Sequence, residues 1–80
     1  MYPVYLLKSQ SCPKQPYVGS TRNLRKRFKE HNEGPSPHTV KFRPWTLIAY
    51  IAFAEEKTAI AFESYLKSGS GRAFIRRRFL

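Results

Sequence analysis

The sequence predicts an α+β domain, a small antiparallel three-stranded sheet flanked by helices in the order β-β-α-β-α-α. Three observations carry that expectation. Two β-favouring runs near the N-terminus, Tyr2 to Lys8 and Tyr17 to Gly19, are joined by a turn-rich stretch from Ser9 to Pro16. A third run, Trp45 to Phe53, is apolar on both faces, which predicts a strand covered on both sides. Two other segments, Leu24 to His31 and Glu55 to Ser68, carry apolar residues at helical spacing. Eighty residues allow one domain, spanning 1–80, with a single small core.

In chain order, Tyr, Val and Leu make Tyr2 to Lys8 a strand, with Pro3 in its first residues, where a strand tolerates it. Alternation puts Tyr5 and Leu7 on one face and Val4 and Leu6 on the other. A hairpin return brings Tyr17 to the face of Tyr5, and Gly19 leaves room for a backbone or a phosphate to approach. Asn23 is a natural N-cap for the first helix. Leu24, Arg27, Phe28 and His31 then share roughly a 100° arc, while Arg25, Lys26, Lys29 and Glu30 point elsewhere. Arg27 and His31 are thus polar groups on an apolar face, and such groups need a partner or a task.

Gly34 and the prolines at 35 and 37 stop that helix. A polar loop from His38 to Pro44 follows, in which Lys41 and Arg43 are either solvated or contact phosphate. On the strand from Trp45, strict alternation groups Leu47, Ala49, Ile51 and Phe53 against Ile48, Tyr50 and Ala52. Ala59, Phe62 and Leu66 stripe the second helix, and Glu63 borders that stripe. Gly69 and Gly71 break this helix, and Arg72 to Phe79 forms a last short one with a cationic end.

Composition narrows the function. Fifteen Lys and Arg against five Glu, with no Asp, give a net charge of +10, for which nucleic acid is the first expected partner. Six Phe, five Tyr and one Trp argue for a packed globule rather than a basic tail. Cys12 is the only cysteine, which excludes an internal disulfide and favours an intracellular setting. With His31 and His38 it falls short of a four-ligand zinc site. The apolar run from Leu47 to Ala54 is far below the ~20 residues of a membrane span, so no membrane association is expected.

Pro3-Val4-Tyr5, a loop of about ten residues, Tyr17-Val18-Gly19, then Leu24, Arg27 and His31 on one helix and Glu63 on a later one together resemble the GIY-YIG nuclease domain. The likeness runs over nearly the whole chain. It is nearest to small stand-alone bacterial members, in which a run similar to Lys67 to Phe74 is frequent, and the N-terminal nuclease domain of excision-repair nucleases is similar too. Pro3 stands where the name-giving pattern has glycine, which stiffens that turn without touching Tyr5.

The resemblance implies a metal-dependent endonuclease acting on DNA, branched or distorted DNA above all, with a single Mg²⁺ (or Mn²⁺) on Glu63. One carboxylate suffices for a Mg²⁺ that keeps waters and phosphate oxygens, and with no aspartate and no second glutamate in an obvious motif one metal is favoured over two. Arg27 would hold the scissile phosphate with its guanidinium fork. Tyr17 would orient nucleophile or phosphate. Tyr5 is the implied general base, and His31, which titrates nearest neutrality, is the alternative acceptor of the proton. Gly19, Arg22, Arg25, Lys26, Lys41, Arg43, Arg72, Arg76 and Arg77 are the expected nucleic-acid contacts. A targeting protein is an expected partner, and the cytoplasm, at the nucleoid if the source is bacterial, the expected location. The competing reading is a non-catalytic nucleic-acid-binding module that keeps the fold. In that reading Arg27 closes an ion pair with Glu30 or Glu63, and His31 is a helix C-terminal cation.

Overall fold

The structure is a computed structural model that describes every residue except Ser36 and His38. The zinc argument and the loop reading that involve His38 therefore lie outside the described residues. Three strands, β1 (Tyr2–Ser9), β2 (Pro16–Ser20) and β3 (Trp45–Phe53), form an antiparallel sheet in the order β2-β1-β3. Helix α1 (Leu24–Glu33) follows β2, and α2 (Glu56–Lys67) and α3 (Gly69–Arg78) close the chain. This is the expected β-β-α-β-α-α architecture. A 3₁₀ turn at Val40–Phe42 interrupts the loop before β3.

The central strand divides the molecule as its alternation requires. Val4 and Leu6 join Val18, Ala59, Leu66 and Ile75 in one cluster beneath α2 and α3. Tyr5 and Leu7 join Trp45 in a second, flanked by Leu24 and Phe28 of α1. Each aliphatic side chain so buried is worth ~1.5–3 kcal/mol, so the two small clusters together carry the fold. Asn23 caps α1 as expected, its Oδ1 accepting from the Lys26 N–H at 3.1 Å. Gly34 ends the helix by donating its N–H to the Glu30 carbonyl at 2.8 Å, in extended rather than left-handed backbone.

Three expectations are corrected. The register of β3 shifts between the partners of Leu6 and Leu7, because Ile48 is bulged out of the pairing. The bulge turns Leu47 to the Leu7 face while Ile48 and Ala49 both pack on the Val4 and Leu6 side, so strict alternation fails there. Nor is β3 covered on both sides along its length, since it is an edge strand that leaves Tyr50 57% and Ile51 49% exposed. At the C-terminal end, the helix break falls at Ser68 and both glycines lie inside α3. Ser68 Oγ accepts from the Gly71 N–H, and a Cβ on Gly71 would be driven into the Tyr65 carbonyl and 2.5 Å from Leu66 Cα. Glycine is there because α3 starts against the backbone of α2, not to stop a helix.

Candidate active site

The hairpin register sets Tyr5 opposite Gly19 and Leu7 opposite Tyr17. The two tyrosine rings stack at 6.2 Å between centroids. Tyr5 is 1% exposed, and the reason it fits is Gly19: a Cβ there would lie 2.5 Å from the Tyr5 hydroxyl oxygen and 3.1 Å from Tyr17. Gly19 is itself buried, so the group that approaches it is the catalytic-candidate phenol rather than a phosphate.

From the apolar face of α1, His31 reaches the same place. Its Nε2 lies 2.7 Å from the Tyr5 hydroxyl, its Nδ1 lies 3.3 Å from Thr39 Oγ1, and its ring is 4.5 Å from that of Tyr17. With the phenol donating to Nε2, His31 carries its proton on Nδ1, toward Thr39. Burial, reinforced by the Arg27 charge, pushes the His31 pKa down to about 4. His31 is thus a neutral acceptor at neutral pH, which removes the reading of it as a helix-end cation. Burial likewise pushes Tyr5 up to about 12, with the neighbouring Tyr17 adding to the effect and Arg27 opposing it. The resting pair is a phenol bonded to a neutral imidazole, with the proton held on the phenol.

Arg27 stands half-exposed at the mouth of this pair, one turn before His31. Its Nη1 is 3.2 Å from Glu30 Oε1, so the ion pair of the bland reading does form, yet the guanidinium also faces Tyr5 and Tyr17. An exposed i,i+3 pair is worth little, and a phosphate with two charged oxygens can displace it.

Glu63 arrives from α2, across the end of β2. Ser20 Oγ donates to its Oε1 at 2.6 Å and Lys67 Nζ to its Oε2 at 2.7 Å. Burial alone would raise its pKa, but these bonds and the Lys67 charge prevail and lower it, so the carboxylate is ionised. Its negative charge adds the smallest of several contributions to the rise in the Tyr5 pKa. Among the described residues no three His, Cys, Asp or Glu side chains cluster as a metal cage. A Mg²⁺-type ion does not need one. Glu63 is a hard oxygen donor, its side chain 21% exposed, with lone pairs left on both oxygens, and it fits such an ion.

The structure therefore brings Tyr5, Tyr17, Arg27 and His31 together on the α1 face of the β1–β2 hairpin, with Glu63 bonded to Ser20 at the end of β2. The expected nucleic-acid contacts scatter. Arg25, Lys26 and Lys41 are exposed, the last with its ammonium 5.4 Å from the Phe42 ring. Arg22 pairs with Glu56 at 3.4 Å and lies over Tyr2. Arg43 has a different occupation from the expected one: its guanidinium donates to the carbonyls of Glu30, His31 and Gly34, closing the C-terminal end of α1. Arg72 and Arg76 share a separate cleft with Lys67, and Arg77 is exposed outside it. The sequence reading missed Ser20, Thr39 and Lys67. Only Lys67 carried a signal, its i,i+4 spacing from Glu63.

Comparison with known proteins identifies the family. The GIY-YIG catalytic domain family matches residues 1–76. The chain is 40% identical over 73 residues to the structure-specific endonuclease subunit SLX1 of Debaryomyces hansenii, covering 82% of this chain and 21% of that protein. It is 36% identical to the proteins of the same name from Candida dubliniensis and Yarrowia lipolytica, covering 26% and 25% of them. The chain thus spans about a quarter of the length of these relatives. They are fungal, so the family assignment stands without the bacterial subtype. With Tyr5 bonded to His31 on the α1 face and the family match running from residue 1 to 76, this chain belongs to the GIY-YIG family of catalytic domains.

Proposed function

We propose that this domain is a metal-dependent endonuclease that hydrolyses DNA phosphodiester bonds, with Glu63 as the protein ligand of a single Mg²⁺-type ion. The observation that carries the reading is the 2.7 Å bond from Tyr5 to a buried, neutral His31 beside Arg27. Arg27 would exchange Glu30 for the scissile phosphate and fix it with two parallel hydrogen bonds. Tyr17 would close the floor beneath it. As the water oxygen bonds to phosphorus and the bond from phosphorus to the leaving oxygen breaks, the water proton would pass to the Tyr5 oxygen while the Tyr5 proton moves to His31 Nε2, which becomes more basic once the phosphate offsets the Arg27 charge. This relay avoids a free phenolate, which a pKa of about 12 makes inaccessible at neutral pH. Glu63 would hold the ion, which when bound neutralises charge on the phosphate and the leaving oxygen.

The relatives are named structure-specific endonuclease subunits. Carried to this chain, that supports branched or distorted DNA as the preferred substrate and a second protein that directs the domain to it. The place of action proposed is the intracellular compartment that holds DNA.

A nicking assay on supercoiled and branched DNA, with and without Mg²⁺, tests the reading. Cleavage should require the metal, and Glu63→Ala should lower it by at least 100-fold while DNA affinity stays within a few-fold. Metal-independent cleavage, or equal cleavage by the variant, would overturn the metal assignment.

A further inference from the structure

Beside the candidate site lies a second concavity, between the outer edge of β2 and the helices α2 and α3, with a volume of about 470 Å³. Lys14 reaches it from the β1–β2 loop, Lys67 from the end of α2, and Arg72 and Arg76 from successive turns of α3. Its floor is apolar, formed in part by Leu66 and Ile75. No glutamate lines it. Among the described residues Lys14, Arg72 and Arg76 form no ion pair, whereas Arg22 and Arg27 are both neutralised by glutamates. Three unpaired cations, Lys14 from the β1–β2 loop and Arg72 and Arg76 from α3, thus line one cleft beside Lys67, which Glu63 holds, and such a grouping favours an anion between them.

Two residues of the cleft also touch residues of the candidate site. Tyr17 lines the cleft and stacks on Tyr5. Lys67 lines it and bonds to Glu63. An occupant of the cleft would therefore be the next part of whatever occupies the site.

We infer that this cleft binds a single nucleic-acid strand next to the scissile phosphate, with Lys14, Lys67, Arg72 and Arg76 on its phosphates and the Leu66 and Ile75 floor beneath a sugar or base. The inference rests on the nuclease reading and adds a substrate class to it, DNA with an unpaired strand at the cut. Size decides for one strand. The volume lies within the ~300–1,000 Å³ of small-ligand sites, enough for a nucleotide or two, whereas a duplex presents a major groove about 12 Å wide flanked by two backbones. The mixed lining agrees, because basic grooves with apolar or aromatic platforms bind single strands irrespective of sequence.

The test is binding of a fluorescein-labelled oligothymidylate, and of a blunt duplex of equal length, to the whole chain in EDTA over a range of salt. The paired substitution Lys14→Gln with Arg76→Gln should weaken oligothymidylate binding by tenfold or more. It should also reduce the dependence of log K on log salt by about 1.4, from ~0.7 per phosphate contact on single strands. Lys29→Gln with Lys57→Gln removes equal charge from exposed positions away from the cleft, and should change single-strand binding by less than twofold. Equal losses in the two double variants, or no loss in the first, would overturn the cleft assignment. Because binding is read without metal, the two readings fail separately. A wild-type chain that shows this pattern but cleaves nothing in Mg²⁺ sinks the nuclease reading, and one that cleaves without the pattern sinks the cleft.

Discussion

Beneath α2 and α3 the sheet buries Val4, Leu6, Val18, Ala59, Leu66 and Ile75, with no buried polar side chain among the described residues. On the α1 side the same short strands bury Ser9, His31 and Thr39 beside Tyr5, Leu7 and Trp45. Every one of these polar groups is hydrogen-bonded, which removes most of the penalty of burying it but adds little net stability. In a domain of 80 residues, where core is scarce, adhesion is thus concentrated on one face. The other face carries the polar cluster to which the proposed chemistry is assigned.

The contrast can be broken most severely at Gly71. Gly71→Ala should destabilise the domain by about 3 kcal/mol or more, since the new Cβ meets backbone atoms of α2 that cannot step aside. A urea melt indistinguishable from wild type would show that the α2 and α3 face is looser than described. The α1 face should respond instead to acid. His31 titrates near 6.5 when unfolded and at about 4 when folded, so the folded state binds fewer protons between those values. Stability should be full above about pH 6.5, fall by about 2–3 kcal/mol as pH drops to 4, and flatten below that as far as this group is concerned. Denaturant midpoints across that range, for wild type and His31→Gln, would read this slope, which the variant should lose. The smallest effect on stability, about 1–2 kcal/mol, is expected of Gly19→Ala, because the new Cβ meets the Tyr5 and Tyr17 side chains rather than backbone. Its cleavage should nevertheless fall more than tenfold, since a small displacement of a reacting group is costly in rate. Loss of stability without loss of cleavage would separate Gly19 from the site.

Much of this arrangement was legible in the residues. The spacing of Leu24, Arg27, Phe28 and His31 placed a polar pair on an apolar arc, and alternation from Tyr5 to Leu7 gave the hairpin face that receives them. The bulge at Ile48 was not legible, because a run apolar at every position gives no period to slip against. Arg43 reads like any loop cation until its three carbonyl partners are seen. Ser20 and Thr39 are small polar residues in polar company, and only the fold brings one to Glu63 and the other to His31. The glycines at 69 and 71 misled by their usual meaning, since close packing of two helices selects the same residue as a helix stop.

The central claim is that the polar cluster on the α1 face moves a proton rather than merely filling space, and Tyr5→Phe addresses it with the loss of one oxygen atom. The measurement is single-turnover cleavage of branched DNA in Mg²⁺ near pH 7.5, alongside DNA affinity and a thermal melt. The expected result is a cleavage rate lowered by about 10²–10⁴-fold with fold and affinity near wild type. A variant that cuts at the wild-type rate would contradict the account, because His31 would then have no hydroxyl through which to take the proton.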